Sequence, residues 1–242
     1  MTETLEPAAP PATGVPAADA VGSAAVAPEA TAPPTLSVLL REATRPQHEH
    51  AETRSFVSDL MGGALGRDAY IDLTRQHHAI YTALEAAGER LRDDAVAAPF
   101  VLPELLRVPS LEADLAILAG PGWREERTLV PATLAYTARL DAIARPEHLL
   151  AHHYTRYLGD LSGGQIVARM LQRHYGMTPE ELTFYTFADI PKPKPYKDAY
   201  RARLDAAPLT SEGTGAVVAE AAVAFDLNAA LFNDLGLRHP AP

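Results

Sequence analysis

The stretch from Ala151 to Gly176, AHHYTRYLGDLSGGQIVARMLQRHYG, spaces its apolar residues as a helix would, yet sets Gly159, Gly163 and Gly164 inside that pattern rather than at its end. A glycine in a helix interior costs about 0.5–1 kcal/mol relative to alanine, so three near one face need a compensating gain. Two structures supply one: a kink or close helix–helix crossing, or a flat ligand lying directly against bare backbone. A phosphate cradle fits worse, because no strand precedes the glycines and neither a GxGxxG register nor a Gly-Lys-Ser/Thr ending is present. Asp160 follows the first glycine, where it could hold ordered water beside such a ligand or simply be solvated.

The rest of the chain also reads as helix. Leu36, Leu39, Leu40 and Ala43 recur at helical spacing, as do Ile80, Leu84, Ala87 and Leu91 behind Glu85 and Glu89, which this pattern places on an exposed face. Glycines at 62, 63 and 66 and ten of the eleven prolines from Pro99 to Pro208 punctuate the remainder, giving roughly eight helices. The nearest strand candidate, Thr183 to Phe187, is short, and no repeat at a fixed period emerges, so the expected fold is all-α with a single domain over residues 36–237. Residues 1–35 hold seven prolines and no Lys or Arg, which predicts a disordered Ala/Pro-rich tail, and residues 238–242 a short C-terminal one. Glu3, Glu6 and the early prolines do not fit a secretory signal, and no window of about 18 residues is apolar and free of charge and proline. A cytoplasmic protein without a membrane anchor is expected, and a monomer, since no heptad pattern appears.

Composition removes several chemistries. With no cysteine, thiolate nucleophiles, disulfides, zinc fingers, iron–sulfur clusters and thiolate-held haem are excluded. A net charge of −10 over 242 residues argues against a general nucleic-acid partner. What remains is local: Arg41, Arg45, His48 and Glu52 follow one another at helical intervals and share a face, and Lys197 and Arg201 form a second cationic pair one turn apart. Each cluster alone is an ordinary solvated helix surface. Together with the glycines they describe a nitrogen ligand, a flat wall and cations suited to a dianionic edge. The histidine pairs His77 and His78, and His148 with His152 and His153, lack an acidic third ligand and are assigned surface or core positions.

The segment HHYTRYLGDLSGGQ, His152 to Gln165, closely resembles the distal-helix signature of the haem oxygenases, and the similarity extends over about residues 36–235, through HHAIYTALEAAGER around Tyr81 and FDLNAALFNDL with Phe225 and Phe232. The family's His-x-x-Ala-Glu pattern falls on His48 to Glu52, so the resemblance selects His48, not His50, as the iron ligand. Arg41 and Arg45 match cationic positions where the family often has lysine; Lys197 and Arg201 match its propionate-gripping pair, and Tyr154 a tyrosine approaching the same group. Guanidinium is a planar fork and ammonium a point donor, so charge at Arg41 and Arg45 is kept while contact geometry is not.

The resemblance implies an all-α bundle with haem held between a proximal N-terminal helix and a glycine-kinked distal helix. It also implies an enzyme that opens haem to biliverdin, carbon monoxide and ferrous iron, using dioxygen and external electrons. Gly159, Gly163 and Gly164 would press backbone on the haem face and so direct oxygen to one ring edge. Asp160 would act through ordered water as an indirect proton donor, with Tyr81 and Arg156 in its network. The sequence has no flavin or nicotinamide motif, so a separate electron donor, a ferredoxin or flavin reductase, is the implied partner, and its docking on basic residues around the haem edge is a natural arrangement. A haem carrier or sensor would use His48 and the cations equally well but has no need of Asp160 within GDLSGG. A di-metal carboxylate enzyme would need Glu-x-x-His motifs that are missing here.

Overall fold

The computed structural model describes residues 33–52, 55–125 and 128–242, and for residues 46–55 it describes no side chains. The expected tail over residues 1–35 therefore falls almost wholly outside the described residues. Residues 34–242 form one compact unit. Nine α-helices run through the described residues: α1 (Leu36–Glu52), α2 (Ser55–Gly62), α3 (Arg67–Arg90), α4 (Val108–Leu118), α5 (Pro131–Asp141), α6 (Pro146–His153), α7 (Gly159–Tyr175), α8 (Pro193–Asp205) and α9 (Ser211–Arg238). Because α6 and α7 are joined without a break by one π-helical turn, Tyr154–Leu158, they form a single long rod. The expected count of about eight helices matches that reading.

The punctuation residues act as their chemistry dictates. Prolines open α4, α5, α6 and α8, where a missing N–H costs no intrahelical bond. Gly176 ends α7 in the left-handed region, and Gly63 does the same behind α2. A side chain at Gly63 would also collide with His174, so both backbone angle and space demand glycine there.

The core is built around α3, whose Tyr70, Leu73, Ile80, Tyr81, Leu84 and Ala87 are buried along one broad stripe. On it pack α4, α5 and α6, while α9 lies across α1, α5 and α6, and α7 rests on α2. Helix α9 is long and apolar enough to cross a membrane by length and composition alone; 44% of that window is buried, against these neighbouring helices. Its last residue, Arg238, and His239 beyond it both bond Asp72 of α3, at 3.1 and 2.9 Å, so the end of the chain is tied to the core helix.

One expectation is corrected and another is met. Glu85 is half-buried rather than exposed: its Oε1 accepts the backbone N–H groups of Arg107 and Val108 at 2.6 and 3.0 Å and so caps the start of α4. The strand candidate is no strand. Thr183–Tyr185 forms a 3-10 turn because the buried Asp114 carboxylate accepts the N–H groups of Thr183 and Phe184 (2.8 and 2.9 Å), while Arg107 donates to the carbonyls of Phe184 and Thr186. Side chains satisfy the backbone groups that a neighbouring strand would have taken.

Candidate functional site

A cavity of about 540 Å³ opens between α2, α7 and α9, floored by Leu73 and His77 of α3. Its walls are apolar where Phe56, Leu60, Phe225 and Phe232 meet, with Phe56 and Phe232 stacked at 6.4 Å. The three glycines line the opposite wall, but they differ. A Cβ built on Gly159 or Gly163 meets nothing within 4 Å, so each leaves a space at the cavity surface that any side chain would fill. At Gly164 the same atom comes to 3.0 Å from the Tyr185 ring, which makes this glycine a packing contact as well as a wall. The helix irregularity is also not at the glycines, which lie in regular α7; it is the π turn immediately upstream.

That turn holds Tyr154 and Arg156, both on the cavity, and delivers Asp160 one turn later. Tyr81 of α3 donates its hydroxyl proton to Asp160 Oδ2 in a short hydrogen bond. Arg156, buried, donates from Nε to the Tyr81 oxygen at 3.2 Å and from Nη1 to Asn228 Oδ1 at 2.6 Å, and Asn228 is anchored by donating to the Ala224 carbonyl at 3.1 Å. Enclosure raises the Asp160 carboxyl above the usual range, opposed by the Arg156 charge and the Tyr81 bond. Burial also works against charge on Arg156, yet Tyr81 and Asp160 more than offset it, so the guanidinium stays cationic. Burial keeps the Tyr81 phenol protonated, and hence a donor. The sequence-predicted trio Tyr81, Arg156 and Asp160 is thus brought together.

At the cavity mouth, burial raises the Tyr154 phenol while a hydrogen bond with Thr44 and the charges of Arg201 and Arg41 pull it down, which brings those three residues to one edge. Arg201 lines the cavity and also donates to Asp198 at 3.1 Å. Lys197 donates to Ser162 of the glycine wall at 3.0 Å. Arg45 is exposed on α1, and the side chains of His48 and Glu52, on the same helix, lie outside the described residues. Of the other histidines, His77, His78, His152 and His153 are buried, and no group of three or more His, Asp or Glu suited to a metal occurs among the described residues.

Asn228 escaped the sequence reading. Its signal was available: it stands three residues after Phe225 and four before Phe232, a polar residue on the apolar stripe of α9. Nothing in the sequence placed Tyr185 against Gly164, because that contact joins two distant segments.

The family model described as heme oxygenase matches residues 34–234, nearly all of the compact unit. The chain belongs to the haem oxygenase family. It is 40% identical over 205 residues to Heme oxygenase 1 of Rattus norvegicus, covering 83% of this chain and 71% of that protein. It is 38% identical over 203 residues to Heme oxygenase of the alga Rhodella violacea, covering 83% and 86%. Among solved structures, heme oxygenase-1 from the cyanobacterium Synechocystis in complex with heme superposes with a TM-score of 0.80 at 36% identity, covering 85% of this chain and 94% of that one. The family's all-helical fold is thus the fold found here. The cavity suits a haem: apolar walls for a flat macrocycle, side-chain-free places at Gly159 and Gly163, and cations with a tyrosine at one edge for its carboxylates.

Proposed function

We propose that this haem oxygenase holds haem in the glycine-walled cavity, with His48 as iron ligand, and opens it to biliverdin, carbon monoxide and ferrous iron. Bound haem would supply both the iron that activates dioxygen and the ring that is oxidised. The residues of the chain do the rest. A neutral imidazole at His48 would leave the opposite iron face free. Gly159 and Gly163 admit the macrocycle against α7 backbone, so the distal face is shaped by main chain rather than by side chains. Arg201, Lys197 and Tyr154 on one side, with Arg41 and Arg45 of α1, would grip the propionates and stop the ring from rotating about its centre. Near an effective dielectric of 20, a charge pair at about 4 Å has a Coulomb energy of roughly 4 kcal/mol before desolvation, so even a fraction of it orients the ring.

The observation that carries an oxygenase rather than a carrier or sensor is the hydrogen-bonded chain Asn228–Arg156–Tyr81–Asp160, which reaches the cavity wall at Asn228, Arg156 and Asp160 and runs behind it through the buried Tyr81. A protein that only stores haem needs an apolar pocket and an iron ligand. Here a carboxyl with a raised affinity for protons is held in place by a phenol and a buried cation, an arrangement for keeping a proton at a fixed point beside the ring. Asp160 would pass that proton through ordered water, with Tyr81 and Arg156 as positioning residues.

Electrons must come from outside. All three lysines of the chain, Lys192, Lys194 and Lys197, fall within six residues at the start of α8, beside the Arg201 edge of the cavity, on a protein of net charge −10. That concentration of point charges supports docking of an acidic electron carrier of the ferredoxin type at this edge.

The test is to add one equivalent of hemin to the purified protein, supply reductant under air, and identify pigment and gas. A haem spectrum that decays to biliverdin with carbon monoxide release is the expected result. A complex that only cycles between oxidation states, with the donor verified on another haem oxygenase, would make the protein a carrier or sensor.

A further inference from the structure

One buried titratable group on the cavity takes no part in the chain of bonds around Asp160. His77 of α3 is 8% exposed and lines the cavity, and its Nε2 has no hydrogen-bond partner among the described residues. The ring is wedged between Phe184, at 5.5 Å between centroids, and Tyr81, one helical turn on, which it meets edge-on at 6.3 Å. Leucine would satisfy such packing without a polar atom. A buried nitrogen left without a partner is destabilising, and in native proteins such groups are almost always satisfied by protein or by ordered water. The cavity that His77 lines is large enough to hold water, and its edge-on neighbour Tyr81 carries the phenol oxygen that joins the Asp160 network.

We propose that His77 is a second polar anchor of the distal pocket, holding through Nε2 an ordered water that extends the Asp160–Tyr81–Arg156 network along the apolar floor of the cavity. Burial, assisted by the Arg156 charge, keeps the imidazole neutral, so it adds hydrogen-bonding capacity without opposing that cation. In a neutral ring either nitrogen can pair with water, as donor or as acceptor according to tautomer. His77 is a positioning residue here: it touches the water, not the ring being opened. The proposal rests on the haem oxygenase reading for the identity of the ligand, and on the cavity alone for the water.

Two measurements test it. Fluoride bound at ferric haem accepts hydrogen bonds from the distal network, so its affinity reports that network without turnover. His77→Leu is expected to weaken fluoride binding by about threefold to tenfold, the effect of one hydrogen bond, and His77→Gln to restore most of it. Equal fluoride affinity in wild type and His77→Leu overturns the proposal. If His77→Leu fails to take up hemin, nitrogen-15 NMR of the wild-type apoprotein decides: an Nε2 resonance shifted by hydrogen bonding is expected, and a free-ring value overturns the proposal. A wild-type protein that takes up no hemin would sink the oxygenase reading, while the NMR result would still stand for or against the water.

Discussion

Asp160 carries the sharpest consequence of any one residue. Its role as a proton holder predicts that Asp160→Ala leaves haem affinity unchanged within about twofold but lowers biliverdin yield about 100-fold, with reducing equivalents diverted to other products; pigment analysis after single turnover checks this. A carboxyl that merely stabilised α7 would instead lower melting temperature and haem affinity together. At this scale, the reading of the sequence was uneven for a physical reason. Tyr81, Arg156 and Asp160 were legible because they sit in motifs, and the resemblance grouped them in one network, but which group donates to which was not, since α3 and α7 are remote in sequence. Glu85 was misplaced because an acid on the polar side of a helix looks solvated until the start of another helix is known to arrive there and use it as a cap.

The three glycines of α7 differ, and substitution separates them. Gly163→Ala adds a methyl group into open space, so the apoprotein is expected to gain about 0.5–1 kcal/mol from helix propensity while haem affinity falls, because the methyl group occupies the place of the ring. Gly164→Ala drives a methyl group at the Tyr185 ring, itself packed on Tyr70 and Phe184, and should cost about 1–3 kcal/mol of apoprotein stability. Thermal melts with and without hemin distinguish the two. Helix existence was readable almost everywhere from apolar spacing and proline punctuation. The π turn was not, because one extra residue in a turn leaves the apolar pattern on either side intact. The segment at Thr183 was rightly set aside as a strand, but its 3-10 turn was not legible, because only the distant Asp114 and Arg107 decide that conformation.

For the whole molecule, the buried histidines and one acid set the response to pH. Burial holds His77, His152 and His153 neutral, His153 at about 3. Their unfolded value is 6.5, so below that pH the unfolded chain binds protons the native one refuses; stability is full above pH 6.5 and is lost as pH falls towards the folded values. Each histidine contributes a slope of up to about 1.4 kcal/mol per pH unit. Glu220 adds to the loss at lower pH. Burial favours its protonation, but hydrogen bonds from His152 (3.0 Å) and Arg139 (Nε, 2.8 Å) override this and hold it at about 2, so its contribution is present above the usual carboxylate range and fades towards pH 2. Urea melts between pH 7 and 4 should show this fall, and His153→Leu should flatten it by one proton. Charge distribution makes a second prediction. Lys192→Glu with Lys194→Glu should slow reduction of bound haem by an acidic protein donor several-fold at low salt, with the difference vanishing near about 0.5 M salt, and leave reduction by a small uncharged reductant unaltered. Composition alone, acidic throughout, gave no hint of this polarity, because a net charge says nothing of where its minority sign is gathered.

Trp123, the one tryptophan of the chain, is 1% exposed, with the His78 ring edge-on at 4.9 Å and the Arg124 guanidinium over its face at 4.3 Å, in the turn that follows α4 and away from the cavity wall. Indole emission overlaps the strong absorption band of haem, and with no cysteine to interfere and no second indole to blur the signal, fluorescence of this single fixed chromophore counts filled cavities without any label.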